Sequence, residues 1–151
     1  MTPAIQTPTI KPMTDAAIDA VREIEARVLA CEQAEIHTVH VIHAGLYSRT
    51  IRIQKSTLVT GALVKIPTVL TISGHCSVLV DGELVEFVGY HTIPASAWRK
   101  QVFYAHEDTF VTMTFPTTAQ TVEQAEAAFT DEFNNLMSRS VDTDLVIITG
   151  E

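Results

Sequence analysis

The chain has 151 residues, 46% of them hydrophobic and 19% charged, which is enough to build one domain around its own core. Its net charge of −8 and pI near 5.1 argue against a nucleic-acid partner, which calls for a basic patch, and against docking on an anionic membrane surface. No apolar run approaches the ~18 residues that a membrane-crossing helix needs.

Residues 1–13 carry Pro3, Pro8 and Pro12 and no long apolar run, so they read as an extended arm and not as a secretory signal. Cytoplasmic localisation is therefore expected. Cys31 and Cys76 lie far apart in different predicted elements and read as reduced, mostly buried thiols without metal-binding spacing. Residues 14–151 form the single predicted domain.

A helix is predicted over 14–31: Asp15 suits the positive end of its dipole, and Ile18, Val21, Ile24 and Val28 make one apolar stripe. From Ile36 to Phe115 the period changes to two, as in a β-barrel or sandwich. The segment 47–53 alternates, and short strands are expected at Leu58–Ile66 and Val69–Ile72. Ser77–Val80 and Leu84–Val88 make a hairpin across Asp81-Gly82, with a short strand at 91–93 before Pro94. Gln101–Ala105 and Phe110–Phe115 make a last hairpin across His106-Glu107-Asp108. A helical segment over 121–139 follows, opened by a capping box at Thr121 and Gln124, with Ala125, Ala128, Phe129, Phe133, Leu136 and Met137 on its apolar side. Residues 140–151 are a terminal strand or tail, whose Leu145-Val146-Ile147-Ile148 run either extends the sheet or covers another subunit.

His43-Ala-Gly-Leu-Tyr47-Ser-Arg49, a strand, Gly61-Ala-Leu-Val64-Lys65 and Ser73-Gly74, followed by Lys100, Tyr104-Ala105, Glu107-Asp108 and the helix from Thr121, resemble the small cupin-like proteins encoded by phages and prophages. The resemblance covers residues 36–135. It implies a mainly β protein with flanking helices, an α+β fold in which a small antiparallel cupin-like barrel over 36–115 lies between an N-terminal and a C-terminal helix. Phage encoding would place the protein in the host cytoplasm. Such barrels carry metal-ligand histidines where this chain has Val64, Thr68 and Phe115. A transition metal needs about three converging ligands, so no metal and no other cofactor is expected.

Six histidines remain, at 37, 40, 43, 75, 91 and 106. On a strand His37 and His43 share one face and His40 takes the other. Surface or capping roles are expected for the cluster, and exposure for His106, with zinc binding the rival reading of the first three.

Arg49 shares the inward face with Tyr47, Ile51 and Ile53. A buried guanidinium needs a partner. Either Glu83, Glu86 or Glu107 pairs with it internally, or it recognises an anion in a pocket with Tyr47 beside it. Lys65 and Lys100 fall where the resembling family often has a basic residue, although Lys65 also reads as a solvated outward lysine. Trp98 is a lid over the barrel mouth, an interface anchor, or partly buried against a helix, with Arg99 or Lys100 flanking its indole. Tyr47, Arg49, Lys65, Trp98 and Lys100 are thus the candidate ligand-binding residues. No nucleophile elbow, phosphate loop or zinc-protease motif occurs, and no catalytic residue is assignable.

The function expected is capture of a small anionic, nucleotide-like ligand, such as a sequestered host signalling molecule. The rivals are a metal-independent isomerase or lyase using Tyr47 and a carboxylate, and a structural protein with no ligand. Trp98, the 145–148 run and the arm also lead us to expect a homodimer or higher homo-oligomer.

Overall fold

The computed structural model describes residues 9–136 and 144–151. The expectations for residues 1–8 of the arm, for 137–139 of the helical segment with Met137, and for 140–143 of the tail lie outside the described residues.

Thr14 caps the first helix, α1 (Asp15–Leu29), its hydroxyl accepting the Ala17 N–H at 3.2 Å. The predicted stripe is used: Ile18 and Val21 are buried with Met13 and Val102, and Ile24 packs against them. The described end of the extended arm is tied down. Ile10 donates to Pro94 O (3.0 Å) and accepts from Ser96 N (2.8 Å), and Ile10 and Met13 are both buried.

Among the described residues eight strands form one curled sheet: β1 (His37–His43), β2 (Leu46–Ile53), β3 (Leu58–Thr60), β4 (Thr68–Val80), β5 (Glu83–Ala95), β6 (Val102–Ala105), β7 (Thr109–Pro116) and β8 (Leu145–Ile148). Their order is β3-β6-β4-β7-β2-β1-β8, with β5 on the other edge of β4. The fold is therefore mainly β with flanking helices, as the sequence predicts, α1 preceding β1 and the second helix falling between β7 and β8. Among the described residues the sheet curls without pairing its edges, so it is a half-barrel and not a closed one. Pairings between these strands are antiparallel except β1 with β8, and the isolated Ile10–Ala95 bridge is parallel. The 145–148 run is thus an edge strand, and all four of its side chains are exposed.

Strand lengths differ from the reading by residue pattern. Segments 84–88 and 91–93 are one continuous β5, paired with β4 along their whole lengths. The Asp81-Gly82 turn closes this hairpin as expected, both residues having positive φ (48° and 82°), as a type I′ turn requires. The hairpin expected between 101–105 and 110–115 does not form. Instead β6 pairs with Cys76–Leu79 and β7 with Val69–Ser73, end to end along one edge of β4.

Gly74 makes that arrangement possible. It sits between the two pairing stretches at φ +142°, and a Cβ there would lie 2.7 Å from both Asp108 O and Thr109 Oγ1. The chain between β6 and β7 closes over it: His106 and Glu107 N–H donate to His75 O (2.8 and 3.2 Å), and His75 N–H donates to Thr109 Oγ1 (3.2 Å).

The second helix, α2 (Val122–Phe129), is capped by Thr121, whose hydroxyl accepts Gln124 N–H at 3.2 Å. Gln124 Oε1 reaches back one residue further than in a capping box, to Gln120 N–H (2.8 Å). The helix is shorter than the predicted segment. Thr130 is extended, Lys65 N–H takes the Phe129 carbonyl (2.8 Å), and only a 3-10 turn (Phe133–Asn135) follows. Ala125 and Phe129 join the main core of Tyr47, Ile53, Ile72, Val78 and Phe103.

Gly74→Ala should destabilise the protein by about 1–3 kcal/mol through the disfavoured φ, and by more where the backbone at Asp108 cannot retreat. Thermal unfolding checks this; an unchanged melting temperature would show that the bend tolerates a side chain.

Candidate functional site

Strand β2 alternates as predicted. Tyr47 and Ile53 are fully buried and Arg49 points inward, while Thr50 faces out and bonds Thr112 across β7 (2.8 Å). Arg49 does pair internally, but with none of the three glutamates expected. Glu83 is exposed, Glu86 bonds His75 (2.6 Å) and Glu107 lies against Lys55 (3.5 Å). The partner is Glu126 on α2, with Arg49 Nη1 donating to Oε2 at 3.0 Å, and the guanidinium stacks 5.7 Å from the Phe129 ring centre. Packing of α2 against the sheet brings the two together across 77 residues of chain.

Tyr47 belongs to a buried polar chain. Its hydroxyl is 2.6 Å from His40 Nδ1, and His40 Nε2 is 2.9 Å from Asp144 Oδ2. A carboxylate only accepts, so Nε2 carries a proton, and in the neutral ring Nδ1 accepts from the tyrosine. Burial pushes the Tyr47 hydroxyl up to about 12, against the opposing charge of Arg49. His40 is thus a core residue and not the surface histidine expected. His106 is likewise half-buried, bonding Ser77 Oγ at 2.7 Å. Of the cysteines, Cys76 is buried, its thiol pushed up to about 11 by burial, whereas Cys31 is exposed.

The cavity of the half-barrel, about 160 Å³, is lined by Arg49, Val64, Leu70, Arg99, Gln101 and Phe129 among others. Neither Tyr47, Lys65, Trp98 nor Lys100 lines it. Lys65 is outward and bonds Asp131 (2.7 Å). Trp98 is 54% exposed. Lys100 is fully buried beside the cavity, its ammonium 3.0 Å from Glu25 and 2.9 Å from Glu132. Glu132 also takes the Leu63 N–H at 2.9 Å. Burial alone would raise the Glu132 carboxyl, but the Leu63 N–H and the Lys100 ammonium outweigh it and hold the group below the usual 4.5.

Arg99, Lys100 and Gln101 are three consecutive polar residues, all buried. Trp98 sets this up. Its φ of +60° is strained for a bulky side chain, and the bend is fixed by Trp98 N–H and Arg99 N–H on Val64 O (2.8 and 3.3 Å) and Val64 N–H on Arg99 O (2.9 Å). The turn leaves the indole outside and sends the Arg99 guanidinium into the barrel. There Nη1 donates to Ser96 O (2.7 Å) and more weakly to Ile66 O, and Nη2 donates to Thr68 Oγ1 (2.7 Å). Among the described residues no carboxylate pairs with Arg99, and its Nε–H is buried without an acceptor. Gln101 Nε2 is buried and unsatisfied as well. Burial pushes the Arg99 guanidinium down to about 10.

The positions where the cupin resemblance puts metal ligands do not fit a metal. Val64 and Phe115 have no donor atom, and the Thr68 hydroxyl is engaged by Arg99. Among the described residues no three His, Cys, Asp or Glu side chains converge as ligands would, and no helix is long and apolar enough to cross a membrane.

No protein-family model and no curated protein matches the chain. Among solved structures, it is similar to a cupin domain of a transcriptional regulator from Enterobacter cloacae, at 11% identity over 48% of this chain and 83% of that one, with a TM-score of 0.40. A cupin-2 conserved barrel domain protein from Leptotrichia buccalis is similar at 11% identity over 60% of this chain and 44% of that one, with a TM-score of 0.45. Salicylate 1,2-dioxygenase from Pseudoaminobacter salicylatoxidans is similar at 13% identity, with a TM-score of 0.49 over 76% of this chain. The chain spans only 33% of that enzyme's length. At these scores the likenesses carry no argument about activity or ligand.

Arg49→Ala should cost about 3–5 kcal/mol of stability, because it takes the guanidinium from the buried Glu126 carboxylate. Loss below 1 kcal/mol in urea unfolding would contradict this. The depressed Glu132 carboxyl contributes stability that is present above 4.5 and is lost as pH falls through its lower folded value. In Lys100→Met that contribution should shrink, so carbon-detected NMR should find Glu132 titrating at higher pH; an unmoved titration would show that Lys100 does not hold the carboxylate.

Proposed function

We propose that this protein binds a small organic anion in its half-barrel, with Arg99 and Gln101 as the recognising groups and Arg49 as a neighbouring wall. The observation that carries the reading is the Arg99 guanidinium: 1% exposed, opposite no carboxylate among the described residues, with Nε–H unsatisfied. Burying a charge without a counter-charge is costly, and a fold keeps such a group where a ligand supplies the missing partner.

Around the cavity Arg49 is paired with Glu126, and Lys100 with Glu25 and Glu132, so Arg99 is the cation with no carboxylate at contact distance among the described residues. A carboxylate offers two acceptor oxygens to two unsatisfied donors, Arg99 Nε–H and Gln101 Nε2. Size narrows the class. The barrel hollow, near 160 Å³, matches the roughly 150 Å³ engineered cavity that takes up benzene, and one cation without a carboxylate partner does not match the several charges of a nucleotide's phosphates. The reading is therefore capture of a small, largely apolar carboxylate, and not of the nucleotide-like molecule expected from sequence. Tyr47 is fully buried, does not line the cavity and holds its proton firmly, so nothing favours the isomerase or lyase alternative.

Arg99→Met keeps the length of the side chain and removes its charge. It should weaken binding of a probe such as benzoate at least tenfold in calorimetry while leaving the melting temperature of the free protein unchanged or higher. Unfolding of the free Arg99→Met protein, with benzoate binding undetectable in the parent, would assign Arg99 a structural role.

A further inference from the structure

A second hollow, about 270 Å³, lies between the last turn of α1 and β3. It shares Glu25, Ile36, Val59, Thr60 and Asn135 with the barrel cavity as lining residues, so the two adjoin. Its walls are largely aliphatic, from Val28, Leu29, Ala34, Ile36, Leu58 and Val59. Leu29 and Leu58 are 66% and 39% exposed there. The apolar stripe of α1 is buried at Ile18 and Val21 but runs out over this hollow at Val28 and Leu29.

We propose that the two hollows together hold one amphipathic ligand, a straight-chain aliphatic carboxylate. Its head sits at Arg99 and Gln101, and its chain leaves the barrel past Ile36 and Val59 to lie along the groove between α1 and β3. This rests on the anion reading above and names the class of anion. The cavity supplies a cation with no carboxylate partner among the described residues, and the groove supplies aliphatic surface that no described residue covers. The barrel hollow alone accommodates only the head and the first few carbons, so a longer chain must use the adjoining one. A rigid ring acid would fill the first hollow and leave the second empty. A flat aromatic or highly charged ligand would find neither stacking partners nor further free cations in the groove.

The test is calorimetry on the full chain with butanoate, hexanoate, octanoate and decanoate, and with decanol as the uncharged control. Affinity should rise about three- to fourfold for each methylene added until the groove is filled, and decanol should bind far more weakly than decanoate. In Leu58→Asp, at a half-exposed edge-strand position, the gain beyond hexanoate should disappear. If the acids bind with an affinity that does not change from butanoate to decanoate, the groove is no chain site and this inference falls while the anion reading stands. Decanol binding as tightly as decanoate would also overturn it, because the head would not be recognised by charge. Binding of none of the acids at millimolar concentration would bring down both this inference and the reading beneath it.

Discussion

The interior of this protein is organised around one buried guanidinium. Arg99 is buried against the start of β4, bonded to backbone carbonyls of the segment that carries it and to Thr68 on β4. An arginine cannot shed its charge at any ordinary pH, even with burial lowering it to about 10. The fold must therefore either neutralise the charge or leave it for something that enters. Two other buried cations nearby are neutralised at short range, Arg49 by Glu126 and Lys100 by Glu25 and Glu132. The contrast with Arg99 is what makes the cavity a candidate site and not only a packing gap.

The rest of the architecture can be read as what it takes to hold that cation in place. The strained Trp98 backbone turns Arg99 inward, and the Val64 bridge fixes the turn. Gly74 lets β4 serve β6 and β7 in succession, so the residues preceding β6 and the β7 side chain Met113 come to the same hollow. Helix α2 closes the far side with Phe129 and delivers Glu126 to Arg49. Two of the positions at which the cupin resemblance places metal ligands, Val64 and Thr68, are immediate neighbours of Arg99. A fixed organic cation thus stands beside positions at which that resemblance places metal ligands.

The elements set by local chemistry were legible in the sequence. The start of α1 near Thr14, the Thr121 cap and the Asp81-Gly82 turn rest on a few adjacent residues, and β2 has a period that only one register satisfies. What depended on distant packing was not legible. Nothing local says that β6 and β7 share the edge of β4 instead of pairing with each other; that follows from Gly74 lying against Thr109. Arg49 was readable as buried and in need of a carboxylate, but the choice of Glu126 depends on where α2 docks. The site itself shows the same division. Ser-Ala-Trp-Arg-Lys-Gln looks like a solvated loop, and burial of its last three residues is decided by one left-handed residue, Trp98, in a place where glycine would be the usual signal. Of the candidate residues, only Arg49 reaches the cavity.

The central claim is that Arg99 Nε–H awaits an acceptor from outside the chain. It is tested most directly by nitrogen-15 NMR of the arginine Nε–H groups during titration with a short aliphatic carboxylate. Arg99, assigned through loss of its signal in Arg99→Met, should move downfield and exchange more slowly with water as the acid is added, while Arg49 changes little. An Arg99 Nε–H that is already protected and does not respond to any carboxylate would contradict the account.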